Sequence, residues 1–236
     1  MKIGLFSDPH YSNHKEIGGG RKPYLSYGKI KNAMDAFKKE CVDICLCLGD
    51  LTDHIEGDSK ENTLNNLREI LGLINGYGIP FYLVVGNHDY LALTGEDMEK
   101  EGILIPPYTV DTREYKFVAL DANYRSNMQR FDVAGVDWQD SNLPKEQIEF
   151  LKAELNNSQK PCIVLIHENL TPTIDKSHIV KNADEIRCII RESGNVKMVI
   201  QGHYHPGNIS TVDEIPYFIQ NGMCEKDTDY FTVINI

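Results

Sequence analysis

The chain reads as an α/β protein with largely parallel strand pairing, and three observations carry that reading. Short apolar runs alternate with segments of helical period. The runs are rich in Val, Ile, Leu and Phe without a polar face, as strands buried from both sides are. Polar residues gather just after the runs, where open α/β sheets bind their ligands.

In chain order, residues 3–6 form the first expected strand. A helix follows with Ile30, Ala33, Met34, Phe37 and Cys41 on one face and Ser26 as its upstream cap. Residues 42–48 are the second strand. Leu64, Leu67, Ile70, Leu71 and Ile74 line the next helix, closed by Gly76, Gly78 and Pro80. Residues 81–85 are the third strand, and Pro144 opens a helix carrying Ile148, Leu151 and Leu155. Residues 162–166 are the fourth strand. A helix with Ala183, Ile186, Ile189 and Ile190 stops at Gly194, and residues 197–200 are the fifth strand. Residues 115–120, 208–212, 217–220 and 230–234 predict a second, partly antiparallel sheet. No Pro/Gly/Ser linker divides residues 1–236, so one domain is expected. The segment 11–25 stands apart: Gly18, Gly19 and Gly20 precede Arg21, Lys22 and Pro23, with no apolar period. It fits either a surface loop or a lid that contacts substrate.

Charge narrows the partners. Lys and Arg number 24 against 35 Asp and Glu, a net charge of -11. That argues against a protein that grips nucleic acid through a broad basic surface, and against one that sits on anionic membranes. No stretch reaches the ~18 apolar residues of a membrane span. The cysteines at 41, 45, 47, 162, 188 and 224 form no C-x-x-C pair and mostly lie in apolar runs. They read as reduced thiols of a cytoplasmic protein, not as a zinc or disulfide framework.

Each of the five runs leads into the same chemistry: Ser7-Asp8-Pro9-His10, Gly49-Asp50, Gly86-Asn87-His88-Asp89, His167, and Gly202-His203-Tyr204-His205. Five strands of one sheet would thus aim Asp, Asn and His at one end. Five of the eight histidines stand there, which packing does not explain. Imidazole and carboxylate together suit Zn, Fe or Mn. Asp8 and His10, like His203 and His205, are two residues apart, a spacing that directs both side chains the same way on extended backbone. Seven candidate ligands are too many for one ion. They fit two divalent ions roughly 3.5–4 Å apart that share one carboxylate.

With all these motifs in this order between residues 8 and 205, the chain resembles the calcineurin-like metallophosphoesterases. The resemblance implies a four-layer α/β/β/α sandwich, two mixed sheets packed face to face with helices outside. It implies that Asp8, His10 and His205 hold one metal, that Asn87, His167 and His203 hold the other, and that Asp50 bridges both. It implies His88 as proton donor, with Asp89 orienting it. The reaction so implied is hydrolysis of a small phosphodiester or nucleotide-type phosphate ester by metal-activated hydroxide. Within that branching, Gly49-Asp50-Leu51-Thr52-Asp53 resembles the cyclic-nucleotide phosphodiesterase-like members. Glu168 departs from the family, where a second His or a Pro is familiar, and leaves diester, monoester and pyrophosphate open.

Substrate contacts are less specified. Arg21, Lys22, Arg125 and Arg130 are either solvated or phosphate contacts; Tyr11, Tyr24 and Tyr90 either pack or stack on a base. His14, His54 and His178 read as ordinary histidines. Two alternatives remain, a nuclease of the same family and a catalytically silent interaction module on the same fold. The charge speaks against the first and the complete ligand set against the second.

Overall fold

The structure, a computed structural model, describes residues 1–14, 20–132, 136–225 and 227–236. Among the described residues, ten strands form two mixed sheets. The first has four: β1 (Lys2–Phe6), β2 (Ile44–Cys47), β3 (Phe81–Leu83) and β10 (Phe231–Asn235), in the order β10-β1-β2-β3. The second has six: β4 (Tyr108–Asp111), β5 (Lys116–Leu120), β6 (Cys162–Ile166), β7 (Val196–Gln201), β8 (Asn208–Val212) and β9 (Ile215–Ile219), in the order β4-β5-β6-β7-β9-β8. β1, β2 and β3 pair in parallel, as do β5, β6, β7 and β9, while β10, β4 and β8 pair antiparallel at the margins.

The side-chain period of two sorts each central strand into layers. Ile3 and Leu5 of β1 and Ile44 and Leu46 of β2 meet Phe117, Ala119, Ile163, Leu165 and Ile200 of the other sheet in one buried cluster. Cys45 and Cys47, on the opposite face of β2, pack beneath helices α1 (Pro23–Glu40) and α2 (Lys60–Asn75), through Ile30, Phe37, Leu67 and Ile70. On the second sheet Val118, Val164 and Val199 take the outer face, under α4 (Lys145–Asn157) and α5 (Ala183–Ser193). The layers run helix, sheet, sheet, helix. A six-residue α3 (Gly95–Lys100), started by a Thr94–Asp97 capping box, lies between β3 and β4 in the chain.

Three expectations are corrected here. The five motif-bearing strands do not share one sheet: three belong to the first and two to the second. A strand buried on both faces carries the same apolar sequence whether helix or sheet covers it, so composition alone does not assign its neighbours. Phe231–Asn235 joins the first sheet, beside β1, instead of the second. Helix α1 starts at Pro23, so Ser26 is inside its first turn, where its hydroxyl donates to the Pro9 carbonyl instead of capping. Of the segment 11–25, residues 15–19 lie outside the described residues.

The inter-sheet layer sets where both sheets' strand ends meet, and its packing is testable. Leu165, fully buried between the sheets, has little room to be replaced. Leu165→Ala is expected to lower unfolding free energy by about 2–5 kcal/mol in denaturant titrations.

Candidate metal centre

The carboxyl ends of β1, β2, β3, β6 and β7 converge where the two sheets meet. Backbone bonds hold the loops there in register: Asp8 donates to the Gly49 carbonyl (3.0 Å), His10 to that of Asp50 (2.9 Å), and Gly202 to that of His167 (3.1 Å). Asp8, His10, Asp50 and His203 all have positive φ, four of the eight such non-glycine residues described. Each left-handed placement costs about 1–3 kcal/mol. Their gathering at one spot marks strain kept for function. Two glycines make the approach possible. Gly49, at φ +109, lies where a Cβ would overlap the His167 ring, and a Cβ on Gly86 would overlap the Asp50 carboxylate and amide.

Two half-sites share Asp50. Asp8, His10 and Asp50 place donor atoms within 4.8 Å of one another, and so do Asp50, His167 and His203. Asp50 Oδ2 lies 3.5 Å from His10 Nε2 and 3.4 Å from His167 Nε2. His205 Nε2 joins the first group, 3.3 Å from Asp8 Oδ1. Asn87 Oδ1 is buried and unbonded, as are Asp8 Oδ1, His10 Nε2, His167 Nε2 and His203 Nε2. Unpaired buried acceptors of this density are costly unless a cation uses them. The outer atoms, by contrast, are engaged. His167 Nδ1 donates to the Leu48 carbonyl (2.6 Å), His205 Nδ1 faces Glu225 (2.6 Å), and Asp8 Oδ2 accepts from the His203 amide (3.1 Å). Such outer bonds fix the tautomer and turn Nε2 inward, as metal-ligating histidines require. The donor set fits a binuclear centre.

Electrostatics agree. Burial alone would raise the Asp8 carboxyl, but the His205 and His167 rings bring it down to about 2. Burial and the neighbouring His167 push His203 well below its ordinary value, leaving a neutral ring with a free lone pair.

His88 stands at the rim. Its amide donates to Asp50 Oδ1 (2.7 Å) and its Nδ1 pairs with Asp53 Oδ1 (2.8 Å). Burial opposes its charge, but Asp50 and Asp53 overcome that and raise its pKa. The carboxylate beside the ring is therefore Asp53. Asp89, expected to orient His88, instead accepts the amides of Gly86 (2.9 Å) and Thr52 (3.0 Å) and ties the two loops together. A residue immediately after His88 in a tight 3-10 turn turns its side chain elsewhere, whereas Asp53 reaches across from the β2 loop. Asp53 also lies 3.2 Å from His10 Nδ1 and 3.1 Å from Arg21 Nε. Its signal in sequence was its place three residues after Asp50.

An open cleft of about 400 Å³ leads to these groups, lined by Arg21, Trp138, His178, Tyr204 and Glu225 besides the ligands and His88. Trp138 and Glu225 had no motif to announce them, and His178 is partly buried in this lining. The other candidates lie elsewhere. The Tyr11 hydroxyl donates to Glu69 and that of Tyr90 to Asp121, and Tyr24 is exposed on α1. Arg130 packs over Tyr90 and Tyr124 beside Asp121, Arg125 faces Asp132, and Lys22 pairs with Asp227. His14 pairs with Asp58 and His54 with Thr63.

The family follows from direct comparison. The model of the calcineurin-like phosphoesterases matches residues 1–207, and the chain belongs to that family. Among its relatives is a probable cyclic nucleotide phosphodiesterase of Psychrobacter arcticus, 23% identical over 75% of this chain and 61% of that one. Another is a 3′,5′-cyclic adenosine monophosphate phosphodiesterase of Haemophilus influenzae, 23% identical over 87% of this chain and 70% of that one. The chain spans less than two thirds of the first relative's length. A crystal structure of a dimetal phosphatase from Danio rerio superposes with a TM-score of 0.80 over 98% of this chain and 91% of the other. At 14% identity that likeness shows the fold alone.

Two predictions follow from the geometry. Gly86→Ala should displace the Asp50 carboxylate, so elemental analysis should find less than the wild-type metal content while circular dichroism is unchanged. Glu168 is buried and neither of its oxygens is bonded. Burial raises its carboxyl, the His167 ring opposes this, and Asp121 adds to it, giving about 8 against the ordinary 4.5. Between those values the folded chain keeps a proton the unfolded chain has released, so stability falls as pH rises through that window. In metal-stripped protein, Glu168→Gln should flatten that fall and stabilise near pH 8 by on the order of a few kcal/mol, read by denaturant titration.

Proposed function

We propose that this chain is a cytoplasmic, binuclear metal-dependent phosphoesterase that hydrolyses small phosphodiesters of the nucleotide type. The observation that carries the proposal is the set of unspent buried donors around one shared carboxylate, with a histidine beside it whose Nδ1 faces Asp53. The names of the relatives support the diester class, and six unpaired cysteines suit a reducing compartment. Among the described residues, no helix is long and apolar enough to cross a membrane.

Asp8, His10 and His205 would hold one cation, Asn87, His167 and His203 the other, and Asp50 both. The mixed imidazole and carboxylate set suits Mn, Fe or Zn better than Mg or Ca. When bound, two such cations offset charge on phosphoryl oxygens and lower the pKa of water to near neutrality. Asn87 would contribute a neutral oxygen, which would leave the loaded site positive enough to draw in phosphate. As the bond from phosphorus to the leaving oxygen breaks, that oxygen takes the proton from His88 Nε2. Asp53, bonded to Nδ1, keeps the ring aimed and charged before the transfer. The net charge of -11 disfavours long polyanions, so small esters are the expected substrates.

Mn²⁺-loaded protein should hydrolyse bis-p-nitrophenyl phosphate, and Asp50→Asn should lose metal and turnover together. No turnover with any divalent cation would contradict the proposal and favour an interaction module. His88→Gln should keep its metal and lose roughly 10²–10⁴-fold in kcat on a diester with an alkoxide leaving group, and far less on the nitrophenyl ester. An equal loss on both would remove His88 from the proton-donor role. Asp53→Asn should reproduce the His88 pattern in weaker form, visible as a lower basic limb in the pH–rate profile.

A further inference from the structure

We infer that Trp138, His178 and Tyr204 form a stacking platform for a nucleobase, which makes these rings the specificity determinants of the metal centre. The inference rests on the phosphodiesterase reading of that centre and extends it from the phosphate to the group the phosphate carries.

The rings are contiguous and mutually inclined, Trp138 and His178 by 49° and His178 and Tyr204 by 81°, so a flat base can lie on one ring with the others at its edge. Trp138 lies 4.9 Å from His178 and 5.7 Å from His203, centroid to centroid, and His178 lies 5.2 Å from both His203 and Tyr204. All three line the cleft above the ligands. Each keeps part of its surface exposed, although Trp and Tyr are among the side chains that gain most from burial. The turn bearing Trp138 is closed internally, the Gln139 amide donating to Asp137 (3.2 Å), and is anchored on its far side, where the Asp140 carboxylate accepts the Ser126 amide (2.9 Å). The three rings thus leave aromatic surface open to the cleft.

The cleft is chemically divided. Around His10 and His88 it is charged, with Arg21 and Glu225 in its lining. Around His203 it is aromatic. A substrate with one anionic end and one flat, apolar end matches that division, and a nucleoside phosphodiester is the common biological group of this form. The cleft of about 400 Å³ is within the range of small-ligand sites. Stacking is tolerant of base identity, because every base has a π-face. The platform should therefore select nucleotides over aliphatic esters while discriminating weakly among the bases.

Trp138 is the single tryptophan of the chain, so its fluorescence reports this platform alone. In Zn²⁺-loaded protein, adenosine monophosphate should quench it saturably, and ribose 5-phosphate at the same concentration should not. In kinetics, the ratio of kcat/KM for an adenosine cyclic phosphate over that for glycerophosphoethanolamine should fall about 10- to 100-fold in Trp138→Leu, the worth of one base–aromatic stack. Trp138→Phe should restore most of the ratio. Quenching by both phosphates, or by neither, would overturn the platform. So would an equal loss on both esters, which would mean that Trp138 only braces His203. A wild type that cleaves both esters with no preference overturns the platform and leaves the phosphoesterase reading standing. Selective quenching without hydrolysis of either ester supports the platform and defeats that reading.

Discussion

The arrangement of the site depends on a single buried carboxylate. Asp50 Oδ2 stands between His10 Nε2 and His167 Nε2, while Oδ1 accepts the His88 amide. Burial would favour its neutral form, but His167, His88 and His10 hold it well below the usual carboxylate range. It is thus an anion in a dry site, which is stable only where positive charge meets it. Asp50 follows β2, in the middle of the first sheet, and His167 follows β6, in the second. The carboxylate therefore links the two sheets chemically at the place where their packing brings them together. Residues 49 and 86 are restricted to glycine for the same reason: any side chain there would occupy space taken by His167 or by Asp50.

Around that carboxylate the fold separates holding from reacting. The ligands come from strand ends on a sheet pair joined by a buried hydrophobic layer, so that packing sets their positions. Positive φ at Asp8, His10, Asp50 and His203 shows where the chain departs from comfortable backbone to aim donors inward. His88, which opens a 3-10 turn, and buried Asp53, from the loop after β2, form a pair beside the ligands. Asp53 touches His10, His88 and Arg21 at once. It thereby couples the orientation of a candidate ligand to that of the proton donor and to a cation in the cleft lining.

Much of this was legible in the sequence because ligands must follow strands directly. Asp8, His10, Asp50, Asn87, His88, His167, His203 and His205 all sit within a few residues of an apolar run, and the structure brings them together. What was not legible depends on contacts between distant segments. Strands buried on both faces do not encode which sheet they join, so the division of three and two was hidden. Asp89 looked like the partner of His88 by adjacency, yet the tight turn sends it to the Gly86 and Thr52 amides, and Asp53 fills the role from another loop. Trp138 and Glu225 lie in stretches without period or motif. Their neighbours are bonded to distant segments: Asp140 to Ser126, and the Cys224 amide to the Asp8 carbonyl.

The acidity of the chain takes on a different meaning beside this site. A net charge of -11 excludes a broad basic surface, but part of the acid count, Asp8 and Asp50 among it, is spent on attracting cations. Two divalent ions would place about four positive charges at one point, the largest local charge in the molecule. The central claim is that both ions share Asp50. Anomalous scattering from crystals of Mn²⁺-loaded protein tests it most directly. Two peaks roughly 3.5–4 Å apart, one on either side of the Asp50 carboxylate, are predicted. A single peak, or a pair that Asp50 does not bridge, would contradict the account.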